Sequence, residues 1–201
     1  MSPPLTLDDI KRVAQDPNRL AALNATELLD TPADDAFDRF ARLAVRLLKA
    51  DAAFVSLLDS DRVFFKSYVA AGGSRPEVRE VSIEASFCPY AVAQGKLLLV
   101  SDALIDPRFK THSAIRDFGI VAYAGIPLVT ADGHALGSFC VIGSQPHAWT
   151  QDEIDLLTDL GAAVVSAIEF RISIGRHVRD AARLEASEQR FYTALDRKSV
   201  V

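Results

Sequence analysis

Two cysteines and four histidines are the residues of widest chemical reach in this chain of 201. A thiol does redox or nucleophilic work as a thiolate, and thiol reductase chemistry needs a second thiol within reach. Cys88 and Cys140 are the two available. Cys140 stands between Phe139 and Val141 in an apolar run and reads as a small core residue. Cys88 follows Ser86-Phe87 at an expected helix start, where the positive end of the helix dipole lowers a thiol pKa. The free N–H groups of that helix start also suit an anion. Asp102, Arg108, Phe109 and Tyr123 join Ser86, Phe87 and Cys88 as ligand-binding candidates, supplying a cation, an aromatic wall and hydroxyls. Asp102 has a local alternative, capping the segment after it. Each residue alone reads as closure of a core under a long loop, and a cluster of polar groups round an apolar cavity is what would make them a site.

The histidines are His112, His134, His147 and His177. None is spaced from another His or Cys as metal ligands are, so no metal is expected. His134 in a tight turn and His147 in a loop are expected to be solvated. His177 lies on a helix and lacks the acidic-plus-proline surroundings of a phosphoacceptor box. It reads as a seam residue of a coiled coil, which its near-neutral pKa would make mildly pH-sensitive.

The elements that position these residues are legible as periodicities. Leu5 to Val13 and Asn18 to Leu29 are short helical patterns. Thr31-Pro32 opens a clearer helix, with Thr31 as N-cap and Phe37, Phe40, Ala41, Ala44, Leu47 and Leu48 on one face. Residues 52–58 and 62–69 are β-rich runs that read as a hairpin about Asp59-Ser60-Asp61. Ser86 to Ala93 reads as a short helix, Leu97 to Val100 as a short strand, and Asp102 to Gly119 as irregular or partly helical. Residues 121–129 and 136–142 form a second hairpin about Asp132-Gly133. Gly125 and Gly137 inside its strands mark bulges or places of close backbone approach, and Pro127 argues against full pairing at its position. Thr150-Gln151-Asp152-Glu153 is a capping box that opens a long final helix.

That helix carries two apolar stripes. Leu156, Leu160, Ala163, Ala167, Phe170, Ile174, His177, Ala181, Leu184, Glu188 and Phe191 alternate four and three apart, the spacing of a coiled-coil seam. Leu157, Gly161, Val164, Ile168 and Ile172 run beside it. Docked at first and exposed later, such a helix suits a transmission rod, with Phe170, Ile174, His177, Ala181 and Leu184 as its dimer seam. The net charge of −5 argues against a nucleic-acid or anionic-membrane partner. No apolar run approaches the roughly 20 residues of a membrane span, and Met1-Ser2-Pro3-Pro4 lacks a signal-peptide pattern. Two cysteines make no disulfide framework, which fits a cytoplasmic protein.

Several motifs, in order, resemble those of bacterial GAF domains: Glu27-Leu28-Leu29-Asp30-Thr31-Pro32 with Phe37-Asp38-Arg39, Val55-Ser56-Leu57-Leu58-Asp59 with Phe64-Phe65-Lys66-Ser67, Ser86-Phe87-Cys88, Val100-Ser101-Asp102-Ala103, Asp106-Pro107-Arg108-Phe109, residues 123–128 and residues 136–142. The resemblance spans about Leu20 to Arg171. It implies an α+β fold with a GAF/PAS-like central antiparallel sheet of about six strands, N- and C-terminal helices on one face, and loops over a pocket on the other. The expected divisions are a helical extension over 1–30, the GAF domain over 31–170, a signalling helix over 171–190 and a PAS start over 191–195. Asp196-Arg197-Lys198-Ser199-Val200-Val201 matches the translation of a common sequencing adapter, so the natural chain is expected to continue differently.

The resembled subgroup precedes histidine kinases, diguanylate cyclases and PAS domains. A regulatory module is therefore expected. It would bind a small molecule or partner, dimerise through its last helix and pass its state to a downstream output domain. The alternatives are a thiol-based methionine sulfoxide reductase of the same fold and a ligand-free dimerisation module. For the reductase, residues 106–118 lack the cysteine that such enzymes carry there. A bilin would call for a Cys-His pair, whereas Cys88 precedes Pro89-Tyr90, and no cyclic-nucleotide signature is found. The cofactor is left unassigned.

Overall fold

The structure is a computed structural model that describes residues 5–198, without the side chains of Leu184, of residues 187–189 and of those from 191 onward. Two short helices, α1 (Leu7–Ala14) and α2 (Pro17–Asn24), precede α3 (Asp35–Leu48). The strands are β1 (Ala52–Leu58), β2 (Arg62–Ala70), β3 (Glu80–Ser82), β4 (Leu98–Val100), β5 (Ala122–Val129) and β6 (Ala135–Gly143). Helix α4 (Cys88–Gln94) precedes β4, α5 (Ser113–Phe118) precedes β5, and α6 (Gln151–Lys198) closes the chain. The strands form one antiparallel sheet in the order β3-β2-β1-β6-β5-β4.

Every residue of central β1 is buried, because both faces of the sheet are covered. Ala53, Val55 and Leu57 face a core closed by α3 and α6, through Phe37, Ala41, Ala44, Leu157, Val164 and Ile168. Ala52, Phe54 and Leu58 face a second core under α1, α4 and the loops. The implied six-stranded sheet is the observed one, and α3 and α6, the helices that bracket it, share one face. The helical extension over the first 30 residues contributes to both cores. Ile10 and Ala14 sit in the second core, Leu23 and Leu28 in the first, all fully buried.

Two local expectations need correction. The helical pattern over 18–29 ends at Asn24, and Glu27 and Asp30 then take left-handed backbone. Helix α3 starts three residues after Pro32, with Asp34 accepting the Ala36 N–H as N-cap. Thr31 is engaged elsewhere: its hydroxyl donates to the Leu28 carbonyl and accepts from Lys66 Nζ at 2.6 Å.

Lys66 reaches that position through a bulge. Val55 pairs with Ser67 and Ser56 with Phe65, leaving Lys66 as the surplus residue. Lys66 and Ser67 therefore both turn toward the helices, with Lys66 also donating to the Pro32 carbonyl at 2.8 Å and Ser67 donating to buried Asp38. The second Asp38 oxygen is 3.0 Å from Arg75, near in charge but outside hydrogen-bond geometry. Phe65 and Tyr68, on either side of this pair, face the second core.

Both glycines of the second hairpin mark close approaches, and Gly137 also adjoins a register shift that leaves Leu136 as the surplus residue of β6. A Cβ on Gly137 would lie 1.9 Å from the Ser56 carbonyl oxygen, and one on Gly125 would lie 2.2 Å from the Tyr123 hydroxyl. Pro127 lies past the last β4 pair, Leu98 with Gly125, where β5 has a neighbour only in β6. The capping box is formed: Thr150 N–H donates to Glu153 at 2.8 Å, and Glu153 N–H donates to the Thr150 hydroxyl at 3.3 Å.

Helix α6 is continuous over 48 residues, through Gly175, or ~72 Å at the usual rise. Its Leu157 stripe docks on the sheet, and beyond Ile172 nearly every described side chain is exposed. Arg171 pairs with the α3 cap Asp34, and Arg179 with Glu27. Among the described residues, no helix is long and apolar enough to cross a membrane.

Candidate functional site

On the sheet face away from α3 and α6 lies a cavity of about 190 Å³. Three aromatic residues of the first hairpin form one wall. The Phe54 ring lies tilted against Phe65 and Tyr68, with centroids 5.0 Å and 4.3 Å away, and the bulge holds those two on the same side. Ser56, Tyr123 and Cys140 add polar atoms from neighbouring strands, and Ser86 and Phe87 come from the turn before α4. Val81, Ile120 and Ile142 continue the apolar lining, and Val78 and Phe118 expose their side chains at its edge. The Tyr123 hydroxyl lies 3.3 Å from that of Ser138, and burial holds its pKa well above the ordinary tyrosine value. It is therefore a neutral hydrogen-bonding group.

Of the residues anticipated from sequence, Ser86, Phe87 and Tyr123 line this cavity together. Cys88 lies buried behind them. Asp102 accepts the Leu104 N–H at 3.0 Å, the local capping role foreseen for it. Arg108 turns outward, pairs with Asp106 at 2.7 Å and covers the ring of buried Phe109 at 4.8 Å. Asp102, Arg108 and Phe109 hold the loop before α5 rather than the cavity wall. The anion reading of the Ser86 turn also changes, because the Ser86 hydroxyl accepts the Cys88 N–H at 3.1 Å.

The thiol chemistry runs opposite to the helix-dipole expectation. Burial pushes the Cys88 thiol up to about 12, with Cys140 nearby adding to the shift, and burial pushes Cys140 up to about 11. Desolvation outweighs the dipole. Both stay protonated at neutral pH, the wrong state for attack on a sulfoxide.

His112 was anticipated only as a residue without metal-ligand neighbours, and it proves to be structural. It stacks on Phe87 with centroids 4.5 Å apart, and its Nδ1 accepts the Ala114 N–H at 3.2 Å, which caps α5. Its Nε2 is buried without a partner among the described residues, and burial lowers its pKa. The unfolded chain thus binds a proton that the native state resists. Stability contributed by neutral His112 is present above the ordinary value of 6.5 and is lost as the pH falls below it. In urea titrations between pH 7.5 and 5, His112→Asn, which keeps the cap acceptor, is expected to lose less stability on acidification than the parent. Parallel losses in both proteins would refute this role. His147 is likewise not simply solvated: Nε2 lies 3.0 Å from Glu153 Oε1, and the ring packs on Trp149 at 4.3 Å.

The hairpin aromatics Phe54, Phe65 and Tyr68 are the wall that sequence reading missed. Their runs were visible as β-rich, but a strand buried on both faces does not reveal which face holds a cavity.

The architecture is a six-stranded sheet with α3 and α6 on one face and a pocket under α4 and the loops on the other. Residues 32–168 match the family model described as GAF domain, and the chain belongs to the GAF family. Over 130 residues it is 33% identical to the cyclic di-GMP phosphodiesterase PA2567 of Pseudomonas aeruginosa, a match covering 64% of this chain and 21% of that protein. This chain thus corresponds to about a fifth of that relative. Among solved structures it resembles the GAF domain of a phosphoenolpyruvate-protein phosphotransferase from Coxiella burnetii, with a TM-score of 0.57, 16% identity and coverage of 79% of this chain and 97% of that one. The corresponding Acinetobacter domain gives a TM-score of 0.56 at 18% identity, covering 81% and 99%. At such identities these structures speak for the fold.

Proposed function

We propose that this GAF domain is the input module of a cytoplasmic signalling protein. A small molecule or partner at the cavity side of the sheet biases the packing of α6. A homodimer formed through α6 then carries that bias to an output domain. The observation that carries this reading is α6 itself. It docks on the face opposite the cavity and then runs ~40 Å past Ile172 along the helix axis. Phe170, Ile174 and Val178, spaced by four, stand 68%, 47% and 63% exposed on it. Such a stripe is stable in water when a second helix covers it.

The proposed seam takes Phe170, Ile174, His177 and Ala181, and extends to Leu184, whose side chain lies outside the described residues. The output classes supported are histidine kinase and diguanylate cyclase from the motif resemblance, and cyclic di-GMP hydrolysis from the Pseudomonas relative. A PAS segment from residue 191 belongs to the same proposal, and its side chains lie outside the described ones.

Light scattering tests the relay. The parent chain is expected at dimer mass, and Phe170→Glu and Ile174→Glu are each expected to weaken association at least tenfold by placing a charge in the seam. A parent that stays monomeric at high concentration would remove the relay.

A further inference from the structure

The cavity that serves as input under this reading also carries information about what it admits. Every side chain lining it is uncharged. Burying a phosphate or carboxylate there would leave the charge without a counter-ion, at a cost no neutral wall recovers. Its volume, about 190 Å³, is modestly above that of an engineered apolar cavity that holds benzene. A cyclic dinucleotide, the substrate class in the printed name of the Pseudomonas relative, carries two phosphates for which this neutral lining holds no counter-charge.

Two features favour an aromatic occupant over an aliphatic one. Phe54, Phe65 and Tyr68 form a continuous aromatic wall, which prefers ring edges and faces at stacking distance. Val78 and Phe118 stand at the edge with 49% and 53% of their surface in water, apolar area that an occupant can cover. Ser56 and Tyr123 belong to the same lining, and Ser56 carries a hydroxyl that suits one polar substituent, while that of Tyr123 is held against Ser138 and Gly125.

We propose that this cavity binds a small uncharged aromatic molecule, one or two fused rings in size, that carries a single hydrogen-bonding group. The assignment deepens the input role and rests on it.

Indole is a suitable probe, with indole-3-carboxylate as its anionic counterpart, tryptamine as its cationic one, and cyclic di-GMP as the large anion. In isothermal titration calorimetry on the full chain, indole is expected to bind at least tenfold more tightly than any of the three. Ile142→Trp places a large ring in the cavity from a partly exposed position, and it is expected to cut indole affinity at least tenfold. Nuclear Overhauser contacts from indole protons to the rings of Phe65 and Tyr68 locate the ligand without any variant. No indole binding, equal binding of a charged counterpart, or indole contacts away from Phe65 and Tyr68 would overturn the assignment. Each of those outcomes leaves the relay to be judged by the light-scattering experiment alone, so the two ideas fail separately.

Discussion

Gly137→Ala is expected to cost on the order of 3 kcal/mol of stability, or to prevent folding. The added methyl would sit 1.9 Å from the Ser56 carbonyl oxygen and 2.8 Å from the Leu57 Cα. Both are backbone atoms of the adjacent central strand, which cannot rotate away as a side chain can. Relief requires β1 and β6 to separate where Leu57 pairs with Gly137, in the middle of the sheet. Gly125→Ala provides the comparison. Its methyl meets the Tyr123 ring, a side chain that can shift, so it is expected to be milder and to act through the cavity lining. Urea denaturation of both variants checks the order. A Gly137→Ala protein within about 1 kcal/mol of the parent would mean that the sheet opens far more easily than close packing allows.

Arg19→Met is expected to lose about 3–5 kcal/mol, or ~10 °C in midpoint for a chain of this length. Arg19 is only 4% exposed. Its guanidinium donates to the carbonyls of Val13 at 3.0 Å and Leu58 at 2.6 Å, and to that of Ala14. These acceptors are the end of α1 and the end of β1, so one side chain closes both and ties the N-terminal helices to the sheet. Methionine replaces the stem and takes the donor from the Ala14 and Leu58 carbonyls, while that of Val13 keeps the Asp16 N–H. Lysine keeps the charge on a single ammonium without the planar fork, and is expected to recover part of the loss. Calorimetric midpoints of the two variants check this. A Met variant within 2 °C of the parent would show that water replaces the guanidinium at little cost.

How much was legible in the sequence depended on the range of the interaction. The hairpins were visible because β-rich runs, the Asp59-Ser60-Asp61 cluster and Asp132-Gly133 are local signals, and the positive φ of Gly133 is what that turn requires. The capping box at Thr150 was readable for the same reason. Arg19 was hidden, since its partner Leu58 lies 39 residues away and nothing local distinguishes it from a solvated helix residue. Strand β3 escaped because it has three residues, none fully buried, at the sheet edge. Thr31-Pro32 looked like a helix entry, yet the hydroxyl was needed by Lys66 and the cap passed to Asp34. In the site, Ser86, Phe87 and Tyr123 were found, while the polar loop residues Asp102 and Arg108 attracted a role that their own neighbours already consume.

The surplus residue in β2 has a mechanical corollary. Phe65 and Tyr68 furnish one compartment, and Lys66 and Ser67, the two residues between them, latch the other. Four consecutive positions are thereby shared by two rooms across a single partition. No rigid displacement of that partition can move the outer two while the inner two stay at rest.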